Sequence, residues 1–173
     1  MLLRIVSRDS VPLLGELLLD KTLSEMALKG LVPLPYPEVD ALLLRALEDT
    51  RGERRADILR SLGERRVGAA VPVLKGLLNT ENQNVAESAL RALGAIGNEA
   101  AGQALAVARV PDKLRDTWAA ASLGCAGRLL QTGDRALAAD LFRTFTSNAF
   151  SHEIRTRAHR GLLHAGQAFT ADA

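Results

Sequence analysis

Four basic residues recur at one position of a repeated helical motif. Lys29, Arg60, Arg91 and Arg160 each lie two residues before the leucine that closes the motif, and Ala121 takes this position in the fourth copy. Side chains at equal positions of stacked repeats form a row. We therefore predict a basic ridge, defined by these four residues, with a gap at Ala121. The ridge is either a contact surface for an acidic protein or an ordinary solvated face.

Acidic neighbours keep both interpretations of the ridge open. Glu25 precedes Lys29 by four residues, and Glu87 precedes Arg91 by the same distance. This order of charges favours an ion pair on a helix surface, with a stabilisation of about 0.3 kcal/mol. Two positions of the ridge are therefore expected to be partly neutralised within their own helix.

Trp118 and Arg157 share a second motif position, five residues before the leucine. The same position holds Met26, Asp57 and Ser88 in other copies, a mixture typical of a half-exposed site. A tryptophan there suits an anchor for a partner protein. The alternative is that Trp118 packs on the insertion that follows the motif. We add Trp118 and Arg157 to the ridge as predicted partner-binding residues.

The densest basic stretch, residues 51–66, contains six arginines against three acidic residues. Such a cluster can neutralise phosphates. However, it has no aromatic residue on which bases could stack. The whole chain has 22 basic and 20 acidic residues, so its net charge gives no support either. Nucleic-acid binding therefore ranks third among the candidate functions.

The sequence lacks the spacing of a catalytic or metal site. His152 and His159 are seven residues apart, whereas metal ligands on a helix are usually three or four apart. His164 adds no second pair. The single cysteine, Cys125, lies in an apolar helical stretch and is expected to be buried. We predict no enzymatic activity, no cofactor and no metal ion for this chain.

A leucine period of about 31 residues positions these side chains. One series closes the motif and consists of Leu31, Leu62, Leu93 and Leu123. A second series lies in the other helix of the pairs and consists of Leu43, Leu74 and Leu105. Apolar residues around them recur with helical spacing. Two helices that keep one period indicate stacked helix pairs. Thr22 and Asn84 are the predicted caps of two motif helices.

We predict an all-α fold, a right-handed α-solenoid (an α-α superhelix) of about five helix pairs in a single domain, 1–173. The pairs cover about 11–32, 39–63, 69–96, 100–130 and 134–164. Gly63, Gly94 and Gly124 follow motif leucines and are predicted to end helices, and Gly97 and Gly133 are predicted to mark turns. An insertion of about eight residues near 126–136 should change the superhelix locally. Residues 2–6 and 165–170 resemble partial repeats, so we expect a piece of a longer array.

Two segments carry a family resemblance. They read SLGERRVGAAVPVLKGLLN at 61–79 and NVAESALRALGAIG at 84–97, and they resemble bacterial HEAT-like repeats of the type first grouped with the phycobilin lyases. Residues 31–40, LVPLPYPEVD, are similar to HEAT regions of large planctomycete-type proteins. The resemblance implies an α-solenoid with an extended surface for partners. It implies no reaction, because one fold serves many functions.

The sequence therefore favours a non-catalytic protein–protein interaction or scaffolding module. The alternative is an enzyme-associated module, either a phycobilin-lyase-like subunit or a domain beside a redox enzyme. The expected partner is another protein rather than nucleic acid or a membrane. The chain shows no signal peptide and no membrane span, so the cytoplasm is the default location. Export is expected if the chain belongs to a larger secreted protein.

Overall fold

The computed structural model describes residues 8–170, with side chains as far as residue 166. This part contains ten α-helices and three short 3-10 turns. The helices are α1 (Val11–Leu17), α2 (Ser24–Leu31), α3 (Pro37–Asp49), α4 (Gly52–Glu64), α5 (Val71–Leu77), α6 (Gln83–Ile96), α7 (Glu99–Ala106), α8 (Arg115–Thr132), α9 (Arg135–Thr144) and α10 (His152–Thr170).

The helices stack as pairs in chain order, which confirms the predicted α-solenoid. The second helices of the pairs form one layer, in which α2 packs on α4, α4 on α6, α6 on α8 and α8 on α10. The first helices form the other layer, where α1 packs on α3, α5 on α7 and α7 on α9. We call α2, α4, α6, α8 and α10 the second helices.

The periodic leucines form the core between the two layers. Leu31, Leu62 and Leu93 are fully buried, and Leu123 is 5% exposed. The three leucines of the earlier series, Leu43, Leu74 and Leu105, are fully buried as well. Each buried leucine side chain contributes about 2 kcal/mol through the apolar surface it removes from water. The 31-residue period is therefore the period of the core.

Gly63, Gly94 and Gly124 do not end helices, so this prediction was wrong. All three lie inside α4, α6 and α8. A Cβ on Gly63 would lie 2.7 Å from the Ala92 Cα, and one on Gly94 would lie 2.8 Å from the Ala121 Cα. These glycines allow the backbones of neighbouring second helices to approach closely. α6 and α8 end at Gly97 and Gly133, which have φ of 61° and 96° and which the sequence also marks as turns, whereas α4 ends at Glu64.

The insertion and the C-terminal segment both lengthen existing helices. Residues 127–132 continue α8 beyond the point where α6 ends, and Gly133 then caps the helix. Residues 165–170 continue α10, and their resemblance to a partial repeat stays a prediction. The other predicted partial repeat, residues 2–6, lies outside the described residues.

Candidate partner-binding surface

The basic ridge lies on the exposed side of the second helices. Lys29 is on α2, Arg60 on α4 and Arg91 on α6, and their side chains are 74%, 58% and 61% exposed. Arg160 is exposed on α10. The repeat register therefore brings equivalent basic side chains to successive helices of one layer, with Ala121 on α8 between them.

Three members of the ridge pair with acidic residues of their own helix. Glu25 accepts a hydrogen bond from the Lys29 Nζ at 2.7 Å, and this bond lowers the pKa of the Glu25 carboxyl. The Arg91 Nη2 lies 2.7 Å from the Glu87 Oε1. Both ion pairs confirm the sequence prediction. Arg60 pairs with Asp57, a contact that the four-residue spacing did not indicate.

Arg157 and Arg160 differ from the rest of the predicted set. Both side chains are exposed on α10. Neither makes an ion pair or a side-chain hydrogen bond with any residue that the structure describes. Within residues 8–166, the positive charges at the C-terminal end of the ridge therefore have no acidic partner, whereas Lys29, Arg60 and Arg91 each have one.

Trp118 packs on other residues of the protein, but they are not those of the insertion that the alternative named. Its Nε1 donates a hydrogen bond of 3.0 Å to the Leu105 carbonyl at the end of α7. Its ring meets Phe145 edge to face, with centroids 4.7 Å apart, and lies 6.3 Å from Phe150. The packing partners come from the connection between α9 and α10 and not from the insertion. Trp118 is therefore half-buried in an aromatic cluster.

Two grooves run between second helices, and they differ in charge. The groove between α2 and α4 has a volume of about 470 Å³ and is lined by Lys29 and Arg60 together with Glu25, Asp57 and Glu64. The groove between α6 and α8, about 570 Å³, is lined by two arginines and no carboxylate. Its lining residues are Arg91, Gly94, Ala95, Thr117, Ala120, Ala121, Leu123, Gly124, Gly127, Arg128 and Gln131. We call it the α6–α8 groove.

The arginines of residues 51–66 mostly serve the fold. Arg54 donates to the Leu19 carbonyl at 2.6 Å, just beyond the end of α1. Arg55 donates to the Leu47 carbonyl in the last turn of α3, and burial lowers the pKa of this guanidinium. Arg51 bonds the carbonyls of Glu48 and Thr50. Carbonyls at helix ends lack partners within the helix, and these arginines supply them.

Arg65 is the most constrained of these arginines. Its side chain is 11% exposed, and its Nε lies 2.5 Å from the Asp40 Oδ1. The same guanidinium donates to three backbone carbonyls in the loop after α2, those of Val32, Leu34 and Tyr36. The basic stretch is therefore not a free cationic patch, which weakens the nucleic-acid hypothesis.

The histidines considered as metal ligands are exposed on one helix, and the single cysteine is buried. His152, His159 and His164 are exposed on α10. Among the described residues, no group of three or more His, Cys, Asp or Glu side chains could hold a metal ion. Cys125 is fully buried, and burial raises the pKa of its thiol to about 11. No helix in the described part is long and apolar enough to cross a membrane.

The repeat geometry agrees with a family comparison. Residues 39–124, from α3 to the middle of α8, match a family model described as HEAT repeats. Residues 39–124 therefore carry HEAT-like repeats. Within the matched HEAT-like segment lie Arg60, Arg91 and Trp118, whereas Lys29 and Arg160 lie outside it. No curated protein sequence matches the chain well enough to count as a relative.

Proposed function

We propose that the protein is a non-catalytic interaction module that binds another protein along its second helices. The observation that carries this proposal is the exposed row of Lys29, Arg60, Arg91 and Arg160 on the second helices α2, α4, α6 and α10, with Ala121 on α8 as the gap. Stacked repeats offer an extended surface to partners, and a basic row favours a partner with acidic side chains.

The ion pairs on the ridge affect how strongly each basic residue can contribute to binding a partner. Lys29, Arg60 and Arg91 each have an acidic neighbour, and exposed ion pairs of this kind stabilise a protein only weakly. A partner carboxylate can displace such a weak intramolecular contact. We include Arg157 and Arg160 in the proposed surface because neither has an acidic partner among the described residues that a partner carboxylate would have to displace.

Trp118 has a different place in this proposal. Its indole N–H is already bonded and its ring already packed. We therefore infer that Trp118 packs α8 against the connection between α9 and α10. This packing positions the part of the proposed binding surface that lies on α8. Three further points remain predictions from the sequence. They are a role as an enzyme-associated module, the likeness to phycobilin lyases and planctomycete-type proteins, and membership of a longer array.

Affinity capture with matched charge reversals tests the proposal. Three baits are compared in an extract of the source cells: the unchanged protein, a ridge variant and a control variant. The ridge variant is Lys29→Glu, Arg60→Glu, Arg91→Glu and Arg160→Glu. The control reverses four exposed basic residues outside the ridge, Arg45→Glu, Lys75→Glu, Arg109→Glu and Lys113→Glu. Quantitative mass spectrometry then measures each captured protein.

We expect a small set of proteins that the unchanged and control baits capture and the ridge variant loses. Both variants carry the same change in net charge, so a loss confined to the ridge variant is specific to position. Circular dichroism confirms that both variants keep their helical content. The proposal is overturned if the three baits capture the same proteins, or if the two variants lose the same ones.

A further inference from the structure

The gap in the basic ridge is filled by a residue from outside the repeat register. Ala121 occupies the ridge position on α8. Arg128 lies seven residues later, two helical turns along the same face, and both residues line the α6–α8 groove. Arg128 belongs to residues 127–132, the part of α8 that continues past the position equivalent to the end of α6. The insertion therefore supplies the cation that the repeat lacks.

Arg128 is held in place but not neutralised. Its guanidinium has no hydrogen-bond or ion-pair partner among the residues described by the structure. Its side-chain stem packs over Gly97, where an added Cβ would collide with the Arg128 Cδ. Packing of the stem restricts the side chain, so less conformational entropy is lost when the guanidinium binds a carboxylate.

The charge of the α6–α8 groove distinguishes it from the rest of the ridge. Arg91 and Arg128 line it without any carboxylate, although Glu87 pairs with Arg91 from outside the groove. The α2–α4 groove has three carboxylates for its two basic residues. An acidic segment would meet like charges between α2 and α4 and unlike charges between α6 and α8.

The floor of the α6–α8 groove is open. Ala120, Gly124 and Gly127 line it from α8, and a Cβ added to either glycine would meet no atom within 4 Å. A partner backbone can therefore approach α8 closely between the two arginines. The lining residues include no aromatic side chain, so the groove offers no platform for stacking bases.

We propose that the α6–α8 groove binds an acidic peptide segment of a partner protein. Its carboxylates pair with Arg91 and Arg128, and its backbone lies against Gly124. This inference rests on the proposed function and narrows it to one groove and one partner chemistry. Arg128 is a ligand-contacting residue that the leucine period does not indicate.

Selection from a library of random peptides tests the inference without a known partner. Phage displaying peptides of about twelve residues are selected on the unchanged protein, and the enriched sequences are synthesised with a fluorescent label. Fluorescence anisotropy then gives the dissociation constant of each peptide. We expect the enriched peptides to be rich in Asp and Glu, because the groove presents two cations and no carboxylate.

Each groove variant has a matched control. Arg128→Glu is compared with Arg109→Glu, a reversal at an exposed arginine outside the groove. Gly124→Leu, which fills the floor, is compared with Gly76→Leu, at another exposed helical glycine with no atom within 4 Å of its Cβ position. Arg128→Met removes the charge while keeping an unbranched apolar stem over Gly97, so it remains informative if Arg128→Glu disturbs the fold.

The expected result is about a tenfold or greater rise in the peptide dissociation constant for Arg128→Glu, Arg128→Met and Gly124→Leu, with changes of about twofold or less in the controls. The inference is overturned if no peptide is enriched, if the enriched peptides are not acidic, or if the groove variants bind like their controls. Binding that depends on Lys29 and Arg60 but not on Arg128 overturns the groove and leaves the proposed function intact. If generic duplex DNA binds with the same dependence on Arg128 and competes with the peptides, the acidic-peptide assignment is overturned.

Discussion

Arg65 illustrates how single residues tie successive repeats together. Its guanidinium joins the end of α4 to the loop after α2 and to Asp40 in α3. Hydrogen bonds to charged groups are stronger than neutral ones, and here four acceptors share one donor group. Basic character near residue 65 was visible in the sequence. Its acceptors, 25–33 residues earlier in the chain, were not, because local spacing does not indicate such distant contacts.

Replacing Arg65 should weaken the whole domain. Arg65→Ala leaves Asp40 and three backbone carbonyls without their donor in a mostly buried place. We expect a loss of about 3 kcal/mol in the free energy of unfolding, measured by urea denaturation. Arg66→Ala is the matched control, because Arg66 is exposed, and it should change the free energy by less than about 0.5 kcal/mol. Equal effects of the two variants would contradict the role given to Arg65.

At the scale of the helices, the local sequence predicted which segments are helical better than it predicted where each helix begins and ends. Thr22 and Asn84 were predicted caps, but Asp20 accepts the backbone N–H groups of Thr22 and Leu23, and Asn82 accepts that of Val85. Asn82 caps α6 two residues earlier than predicted, whereas Asp20 caps the turn before α2, and α2 itself begins after Leu23 without a side-chain cap. Ser, Thr, Asn and Asp all serve as caps, so closely spaced candidates compete and sequence alone does not choose between them.

The glycines after the motif leucines show the same ambiguity. A glycine near the end of an apolar helical run is typical of a helix terminus, and it is equally typical of close helix packing. The two cases differ only in what lies opposite the residue. For Gly63 and Gly94 it is the backbone of the next second helix, at Ala92 and Ala121, and these contacts join residues 29 and 27 positions apart in the sequence.

Gly94 and Gly124 occupy the same motif position and should respond oppositely to one substitution. In Gly94→Ala the new Cβ would lie 2.8 Å from the Ala121 backbone, so α6 and α8 must separate, at a cost of about 2 kcal/mol. In Gly124→Ala the Cβ meets open space, and the better helix propensity of alanine should stabilise the protein by about 1 kcal/mol. Thermal or urea unfolding measures both. Changes of the same sign would show that the two positions are not packed as described.

At the scale of the whole molecule, the leucine period was sufficient to predict the stack of helix pairs. It also placed the ridge residues on successive second helices, because equal positions in a repeat face the same way. It did not reveal Arg128, which lies in an insertion and has no equivalent in other repeats. Nor did it reveal that Trp118 packs on Phe145 and Phe150, which follow it by more than twenty residues.

The regular part of the array forms the scaffold, and its departures from regularity distinguish one groove from the next. The α2–α4 and α6–α8 grooves have the same kind of walls but differ in their carboxylates and in Arg128. We therefore expect a partner of this protein to recognise a particular groove and not the repeat in general. The insertion in α8 is the main source of that specificity in our account.

A double-mutant cycle between Arg128 and the carboxylates of a selected peptide tests this account most directly. Arg128→Met in the protein is combined with Glu→Gln or Asp→Asn at each acidic position of the peptide, and dissociation constants are measured for all combinations. We predict one acidic position whose coupling energy with Arg128 exceeds about 1 kcal/mol, as expected for a close charge pair. If the effects add within about 0.3 kcal/mol at every position, Arg128 does not contact the partner and the account of the groove is wrong.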